Sequence, residues 1–371
     1  MKRRVLRAAS RVLCETRQHP DRHEWNGGKV LVLMLTHLGD AVLFLPFLDA
    51  LGTFFGDRSI DIVIKPPVDQ LICSHPGLRT IHVFHCPWVG AGGWRTGIGQ
   101  WLGLVRNFRR EKYDLAVVTH AHEMSSLTAC LSGANGTAGW ATEGDHFLGC
   151  PLITPLRKPH AAVFAAQLLD HLGLPRVPHR TGLPVSDEAY RRGKDVARGL
   201  RKANGGAGSR ILAVHPGAGG ERKIWPADNF SAVIHAFLGG KNRTVILLGG
   251  EKERTRCSEI IDLVGSNRVA DLSGKLGVGE LAGAISEGDM YLGNDSGPSH
   301  MAAALGVPTH VIFGQASDPG VWAPIGPQVH VLRFAEEEFR SGRSVAKVLT
   351  ALRIGDRCSN HGDTIVNACP E

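Results

Sequence analysis

The sequence predicts an α/β protein with two domains, each built around a parallel β-sheet. Short apolar runs alternate with helical patterns along most of the chain, which is typical of βαβ units. The apolar runs are almost continuous in Val, Ile and Leu, as expected for parallel strands whose two faces are covered by helices. With 371 residues, the chain is also too long for one ordinary hydrophobic core.

In the first half of the chain, apolar runs predict four strands. They span residues 30–35, 60–64, 81–84 and 115–118. A helix is predicted over residues 96–112, because large apolar residues recur there at the i, i+3, i+4, i+7 spacing of one helical face.

In the second half, apolar runs again predict four strands. They span residues 211–214, 244–248, 290–292 and 309–313. The polar, basic stretch 186–209 separates the halves and contains Gly205, Gly206 and Gly208, so we interpret it as a helix followed by a flexible interdomain linker. The expected organisation is therefore a basic extension (1–28), a first domain (29–185), the helix and linker (186–209), a second domain (210–353) and a tail (354–371).

Composition and charge exclude several classes of protein. Apolar residues make up 43% of the chain and charged residues 21%, which is typical of a globular and not of a disordered protein. No apolar run reaches the roughly 18 residues of a membrane-spanning helix. Seven basic residues against three acidic ones in residues 1–28 account for more than half of the net charge of +7, but no nucleic-acid-binding motif accompanies them. The eight scattered cysteines lack zinc spacing and suit a reducing cytoplasm.

The run from Gly293 to Ala304 is the most informative stretch. It follows an apolar strand and leads through small residues into an Ala-rich helix, an arrangement that can bind an anion on the first N–H groups of the helix. Ser296 and His300 add donors, Gly297 permits close approach of a ligand, and Asp295 can accept from a sugar hydroxyl. This pattern indicates a nucleotide-sugar site; a capped helix with Asp or Ser at the N-cap is the alternative.

Three more turns of the second half could contribute to this site, and the first two directly follow predicted strands. The first holds Gly217 and Ala218 in a Gly-rich loop before Lys223, a plausible phosphate cradle. The second ends in Glu251, which could accept from ribose hydroxyls. The third is the loop 271–277, which could close over a base. Because the carboxyl ends of parallel strands lie at one edge of a sheet, we expect these turns to converge with the run at 293–304 on one site.

In the first half, Gly39 and Asp40 follow the first strand. Asp40 is therefore either an N-cap residue or a carboxylate that could act as a general base toward an acceptor hydroxyl. Pro46 falls inside the helical pattern that follows and is expected to kink it.

These residues resemble glycosyltransferase family 9, the lipopolysaccharide heptosyltransferases. The similarity spans about residues 29–327. It rests on six motifs in the order of the family: Leu38-Gly39-Asp40 with Pro46, His215-Pro216-Gly217-Ala218, Lys223-Ile224-Trp225-Pro226, Gly249-Gly250-Glu251, Leu272-Ser273-Gly274, and Asp295-Ser296-Gly297-Pro298-Ser299-His300.

The resemblance implies a GT-B fold, with two Rossmann-like domains facing across a cleft, the acceptor on the first and the nucleotide sugar on the second. It implies inverting transfer of a heptose from ADP-heptose without a metal or other cofactor. Asp40 would be the base and Lys223 would neutralise the diphosphate. The resemblance implies a donor site with Gly217, Ala218, Glu251 at the ribose, Leu276 and Gly277 at the adenine, Asp295 at the sugar, Ser296 and Gly297 at the diphosphate, and His300 in support.

Two turns of the first domain depart from the family pattern. They are Thr36-His37-Leu38 and Thr119-His120-Ala121-His122-Glu123, and they leave the acceptor open. The expected partners are a nucleotide sugar and a lipid-linked or glycan acceptor, without nucleic acid. We expect a cytoplasmic monomer with peripheral contact to the inner membrane. The alternatives are a transferase of this fold with another sugar and glycan, or a non-catalytic nucleotide-sugar-binding protein.

Overall fold

The structure is a computed structural model, and it describes residues 28–84, 94–142, 147–155, 159–179, 181–206 and 208–354. The chain divides into two compact units, Met1–Pro178 and His179–Glu371. The expected basic extension, apart from residue 28, and the expected tail from residue 355 onward lie outside the described residues.

The first unit alternates strands and helices. Its strands are β1 (Val30–Met34), β2 (Ile60–Ile64), β3 (Leu78–Val83), β4 (Leu115–Val118), β5 (Gly136–Ala141) and β6 (Cys150–Ile153). Its helices are α1 (Leu38–Leu43), α2 (Leu45–Phe55), α3 (Val68–Ile72), α4 (Trp94–Glu111), α5 (Glu123–Leu131) and α6 (Ala161–Leu172). The strands form one sheet in the order β3-β2-β1-β4-β5-β6, and every neighbouring pair is parallel.

The second unit repeats this architecture. Its strands are β7 (Arg210–His215), β8 (Arg243–Leu247), β9 (Val269–Asp271), β10 (Met290–Asn294), β11 (Thr309–Phe313) and β12 (Val329–Arg333). Its helices are α7 (Asp187–Gly205), α8 (Ala227–Leu238), α9 (Arg254–Val264), α10 (Val278–Ser286), α11 (Gly297–Ala304), α12 (Pro319–Trp322), α13 (Glu336–Arg340) and α14 (Arg343–Ala351). The parallel sheet has the order β12-β11-β10-β7-β8-β9.

Both sheets have the doubly wound strand order of Rossmann-like domains. The first strand of each unit lies in the middle, and the chain crosses it after the third strand to add the fourth on the other side. The central strands β1 and β7 are buried almost throughout, which explains their continuous apolar sequence. Ligands of such sheets bind outside the carboxyl ends of the strands where the order reverses, here at β1/β4 and at β7/β10.

All eight strands expected from apolar runs are present, with shifts of one to three residues at some ends. Four further strands escaped the sequence analysis: β5, β6, β9 and β12. β5 contains two glycines and β9 has three residues, while the edge strand β12 has only exposed and half-buried positions. None of these presents the long apolar run by which a buried strand is recognised.

The helical pattern after Asp40 is interrupted, as expected from Pro46. Helix α1 ends at Leu43, Phe44 lies between the helices, and Pro46 occupies the first turn of α2. Proline is tolerated there because the first turn of a helix needs no N–H donor from it.

The expected interdomain linker is wrong in one respect. Residues 187–205 do form a helix, α7, but it packs within the second unit, and the division of the chain falls earlier, after Pro178. A Cβ on Gly193 of α7 would lie 1.9 Å from the carbonyl oxygen of Glu280 in α10, so the two backbones pack in direct contact. Polar residues of α7 pair with Glu280 of α10 and with Glu287 just after it, so the predicted helix is correct but belongs to the second unit.

Among the described residues, none of the helices combines the length and the apolar character that crossing a bilayer requires.

A buried carboxylate organises the amino-terminal edge of the first sheet. Asp61 of β2 is 1% exposed and accepts hydrogen bonds from Arg79 and from the hydroxyl of Tyr113, the latter at 2.6 Å. Arg79 also donates to Glu111 at 2.8 Å, and Glu111 pairs with Lys29 at 2.9 Å. The network therefore joins β2, β3 and the end of α4 through one buried charge.

The pKa of Asp61 shows the effect of these interactions. Burial alone would raise the pKa, but the interactions with His82, Arg79 and Tyr113 outweigh burial and lower the pKa to about 2. The carboxylate is therefore charged over the whole physiological range, and its pairing contributes to the stability of the folded first unit.

We expect Asp61→Asn to lower the free energy of unfolding at pH 7 by about 3 kcal/mol, because the change removes one partner of a buried ion pair. The wild-type carboxyl contributes its full stability above its ordinary pKa of 3.8 and loses it as the pH falls toward 2. Denaturant unfolding from pH 7 down to pH 2 therefore checks the prediction: the difference between the proteins should shrink below about pH 4.

The exposed Asp57, changed to Asn, is the matched control and should leave the stability within about 0.5 kcal/mol of wild type. Equal stability of Asp61→Asn and wild type at pH 7 would contradict the proposed contribution of the network.

Candidate functional site

Four turns of the second unit lie at one edge of its sheet. The strands β10, β7, β8 and β9 are neighbours in that order and are all parallel, so the turns that leave their carboxyl ends are adjacent. The turns that the sequence analysis expected to converge are therefore neighbours along one edge of the sheet. The edge includes the reversal of strand order at β7/β10.

A buried asparagine holds the two central turns together. Asn294, at the end of β10, is fully buried and accepts from the backbone N–H of Trp225 at 3.1 Å. Its amide donates to the carbonyl oxygens of Pro216 at 2.9 Å and of Gly217 at 3.3 Å. The Gly-rich loop after β7, including Gly217 and the half-buried Ala218, is thus fixed against the start of α11.

Lys223 and Asp295 form an ion pair in this structure. The Nζ of Lys223 lies 2.7 Å from Oδ2 of Asp295, which also accepts from the hydroxyl of Ser317. Asp295 is largely buried, whereas the lysine side chain is 32% exposed. The lysine expected at a diphosphate and the carboxylate expected at a sugar are therefore neighbours, although 72 positions separate them in the sequence.

Polar side chains connect the start of α11 to residues of the strands β7 and β10. Ser296 is the N-cap residue of α11, and its hydroxyl lies 3.2 Å from Nδ1 of His215. Ser299 donates to the carbonyl oxygen of Asn294 at 2.6 Å and lies 3.2 Å from the hydroxyl of Tyr291. Burial lowers the pKa of His215 to about 4, so its imidazole is neutral at physiological pH.

Gly297 and His300 both belong to α11. Gly297 is its first residue and His300, buried, lies one turn further on. The positive end of the helix dipole is therefore at Ser296 and Gly297.

The turn after β8 contains two glutamates in different environments. Glu251 is 73% exposed on its side chain and pairs with Arg254 at 2.8 Å. Glu253 accepts from the backbone N–H of Gly250 at 2.8 Å, and a Cβ on Gly217 would lie 2.4 Å from its Cγ. Glu253 thus lies against the phosphate-type loop, whereas the carboxylate of Glu251 lies against the loop after β9, since a Cβ on Gly274 would be 2.5 Å from its Oε2.

Sequence reasoning missed Glu253. Its position three residues after Gly250, at the start of a helical segment, is the capping-box spacing and is the signal that could have identified it.

Leu276 and Gly277 lie in the loop between β9 and α10. Leu276 is half-buried. Gly277 is the N-cap residue of α10, and its N–H donates to Glu280 at 2.9 Å. The N–H and the carbonyl oxygen of Gly277 are both used within the helix start, so the half-buried side chain of Leu276 is the part of this loop that we consider for a ligand.

In the first unit, Asp40 lies in the third helical position of α1, after β1. Its Oδ2 accepts from the N–H of His37 at 3.1 Å, so His37 is the N-cap residue and Asp40 caps the helix from within. The carboxylate is half-buried at the carboxyl edge of the sheet, where a ligand of this unit is expected.

The same edge carries basic side chains that the sequence analysis noted only as a departure from the family pattern or did not single out. Lys65 follows β2, and its Nζ lies 3.4 Å from Nδ1 of His37. His120 and His122 follow β4, with ring centroids 6.4 Å apart.

Each unit thus brings a distinct chemistry to its edge. The second unit offers a cation and a helix N-terminus for an anion, beside carboxylates that accept from hydroxyl groups. The first unit offers a carboxylate beside a group of nitrogen donors.

The sequence matches a known family and known relatives. The sequence model of glycosyltransferase family 9 (heptosyltransferase) matches residues 101–348. Lipopolysaccharide heptosyltransferase 3 of Escherichia coli is 25% identical over 297 residues, which cover 77% of this chain and 83% of the relative.

Solved structures share the fold. The glycosyltransferase family 9 protein of Veillonella parvula superimposes with a TM-score of 0.75 at 22% identity, covering 88% of this chain and 96% of that chain. The ADP-heptose lipopolysaccharide heptosyltransferase II of Escherichia coli has a TM-score of 0.69 at 21% identity, covering 88% and 97%. The family match extends over more than half of the chain and agrees with the doubly wound sheets and the four turns of the second unit. The chain therefore belongs to glycosyltransferase family 9, the heptosyltransferase family.

Proposed function

We propose that this glycosyltransferase moves a heptose from ADP-heptose to a hydroxyl of a lipopolysaccharide-core or similar glycan acceptor, with inversion and without a metal or other cofactor. The observation that carries the proposal is the Lys223–Asp295 pair at the start of α11, where turns from four adjacent strands converge. The names of two relatives, a lipopolysaccharide heptosyltransferase and an ADP-heptose heptosyltransferase, support this donor and this class of acceptor.

The donor diphosphate would bind at Ser296 and Gly297, beside Lys223 and the loop of Gly217 and Ala218. The helix N-terminus and the lysine supply positive charge, and the glycine permits close approach of the backbone. In this arrangement Lys223 exchanges part of its interaction with Asp295 for the phosphate oxygens, and Asp295 becomes available to the sugar hydroxyls.

The nucleoside would lie toward the turns after β8 and β9. Leu276 presents apolar surface for an adenine at the loop of Gly277. Two glutamates of the turn after β8 could accept from ribose hydroxyls. Glu251 lies against Gly274 of the loop after β9, and Glu253 lies against Gly217 of the phosphate-type loop. His300 would support this arrangement from within α11.

In the transfer step, Asp40 accepts the proton of the acceptor hydroxyl as its oxygen attacks the anomeric carbon of the donor sugar. The bond from that carbon to the diphosphate breaks on the opposite face, so a single displacement inverts the configuration. Lys223 and the N-terminus of α11 stabilise the charge that develops on the leaving ADP. These positive charges stabilise the leaving diphosphate, as a metal ion does in other transferases.

A lipid-linked acceptor would suit a cytoplasmic monomer in peripheral contact with the inner membrane, and this location is part of the proposal. A transferase with another sugar, or a protein that only binds nucleotide sugars, is the alternative that the following measurements separate.

The nucleotide preference is the first test. ADP and ADP-heptose should raise the melting temperature, because a ligand at 100 times its Kd adds about 2.7 kcal/mol of stability. A thermal-shift panel with UDP, GDP, CMP and NAD as controls measures this. A preference for UDP or GDP would contradict the ADP-heptose donor, and no shift with any nucleotide would contradict the donor site itself.

Asp40→Asn should lower kcat for transfer by about 100- to 10,000-fold, since the amide cannot accept a proton. ADP binding should be unchanged, and the asparagine oxygen can still accept from the N–H of His37. Steady-state transfer together with ADP calorimetry checks both expectations. Asp57→Asn, an exposed change in the same unit, should match wild type; undiminished turnover in Asp40→Asn would remove Asp40 as the base.

Lys223→Met should lower kcat by about 100- to 1,000-fold, because it removes charge stabilisation of the leaving diphosphate. Single-turnover transfer at saturating donor measures this step apart from binding. The matched control is Lys241→Met, which changes an exposed lysine before β8, at the amino ends of the strands. A wild-type rate for Lys223→Met would assign the stabilisation to other groups.

A further inference from the structure

A buried histidine lies behind the start of α11, where the donor diphosphate is proposed to bind. His215 is the last residue of β7 and is 5% exposed. It is paired in register with Gly293 of β10, so it lies at the reversal of strand order. Its Nδ1 is 3.2 Å from the hydroxyl oxygen of Ser296, the N-cap residue of α11. The imidazole is therefore in direct contact with a side chain that is proposed to bind phosphate.

Hydrogen bonds fix the hydroxyl groups around Ser296. The hydroxyl of Ser299 donates to the carbonyl oxygen of Asn294 at 2.6 Å. The fully buried hydroxyl of Tyr291 lies 3.2 Å from the oxygen of Ser299 and donates to it, because the hydrogen of Ser299 is already used. Burial raises the pKa of Tyr291, so this hydroxyl keeps its hydrogen. Of these side chains, His215 is the one that can gain a proton near neutral pH.

The neutral ring of His215 cannot serve both of its partners as a donor. It has hydrogen bonds to Ser296 and to the backbone of Gly217. The bond to Gly217 favours the charged ring, so the backbone carbonyl accepts from it. A neutral imidazole carries one N–H, whereas an imidazolium carries two. If the neutral ring donates to Gly217, Ser296 must give its hydrogen to the ring, whereas the charged ring donates to both.

A bound diphosphate requires the hydrogen of Ser296. Phosphate oxygens only accept, so Ser296 can bind one only by donating to it. Such an oxygen would lie within about 6 Å of Nδ1 of His215, since Ser296 is 3.2 Å from the ring and a hydroxyl hydrogen bond is about 2.7 Å long. A negative charge at that distance raises the proton affinity of an imidazole by about 10- to 1,000-fold. Hydrogen bonding and charge thus both favour the imidazolium when the diphosphate is bound.

Three charged residues of the site also bear on the ring. Glu253, in the turn after β8, favours protonation of His215, but burial outweighs this effect and lowers the pKa of His215 to about 4. Lys223 and Asp295 neutralise each other at 2.7 Å. The free protein therefore has a neutral His215, and the diphosphate brings the charge that changes its state.

We propose that His215 takes up a proton from solvent when the donor diphosphate binds, and that the imidazolium then donates to Ser296 while Ser296 donates to a phosphate oxygen. The inference rests on the proposed function, since it requires a diphosphate at the start of α11. His215 is a positioning residue in this role, because it acts on the phosphate through Ser296. Its positive charge lies behind the N-terminus of α11 and adds to the stabilisation of the bound diphosphate.

The test is calorimetry of ADP binding to the full chain in buffers of different ionisation enthalpy, which gives the number of protons taken up. Wild type is compared with His215→Asn, whose amide can bind Ser296 but cannot gain a proton. At pH 6, wild type should take up about 0.5 proton more than the variant. The difference between the two proteins cancels the titration of ADP itself.

The affinities for ADP should diverge as the pH falls. A group whose proton affinity is higher in the complex makes binding tighter at lower pH. The ratio of wild-type to His215→Asn affinity should therefore rise about tenfold between pH 7.5 and pH 5. Tyr291→Phe removes a neighbouring hydroxyl that does not titrate in this range, so it is the matched control and should follow wild type.

Proton uptake can also be observed directly in the wild-type protein. The ¹⁵N signals of histidine rings distinguish an imidazole from an imidazolium, so ADP at pH 6 should move one ring toward the charged form. That signal should be absent from His215→Asn, or from His215→Gln if the first variant does not fold. A spectrum in which ADP charges no ring would overturn the inference whether or not the variants fold.

The outcomes separate this inference from the donor site. Equal proton uptake and a constant affinity ratio in wild type and His215→Asn would overturn it, and would assign any remaining uptake to Glu253 or Asp295. If ADP binds without a difference between the two proteins, the donor site stands and the role of His215 does not. If ADP does not bind, the proposed donor site fails, and the inference fails with it.

Discussion

The parallel order of the two sheets is the constraint on which the candidate site depends. All carboxyl ends of a parallel sheet share one edge, and the reversal of strand order at β7/β10 opens a space between the turns that leave those strands. Asn294, fully buried at this reversal, uses its amide to join the two turns. Together with the Lys223–Asp295 ion pair and the contact between Ser296 and His215, this connection fixes the loop of Gly217 relative to the start of α11.

The carboxylates at the two edges of the first sheet, Asp61 and Asp40, lie in different environments. At the amino edge, Asp61 is buried and paired, and its pKa is held at about 2, so the charge serves stability alone. At the carboxyl edge, Asp40 is half-buried and accepts the backbone N–H of His37, whose side chain lies 3.4 Å from the ammonium of Lys65. Burial with full pairing stabilises a fold, whereas a partly exposed carboxylate next to donors can take part in binding and proton transfer.

Local sequence predicted the regular parts of the fold well and the partners of the site poorly. The eight strands with apolar runs and the interruption at Pro46 follow from short-range patterns, because burial on both faces and a fixed φ angle leave a local signature. The exposure of Glu251 and the position of Glu253 against Gly217 do not follow from short-range patterns. They depend on how the turn after β8 packs against the loop after β7. Residues 187–205 form the helix expected there. Its packing through Gly193 onto α10, within the second unit, joins residues that are distant in the sequence and leaves no local signature.

The sequence by itself determined the α/β class with parallel sheets, the positions along the chain of eight strands and of the motif-bearing turns, and the family to which the motifs belong. Each of these follows from residues that are near one another in the sequence. Only the tertiary structure decided that Lys223 meets Asp295 across 72 positions, and that His37 and Lys65 are neighbours across 28. Such pairs arise from strand order and turn geometry, and these are set by packing of the whole sheet and not by any local run of residues.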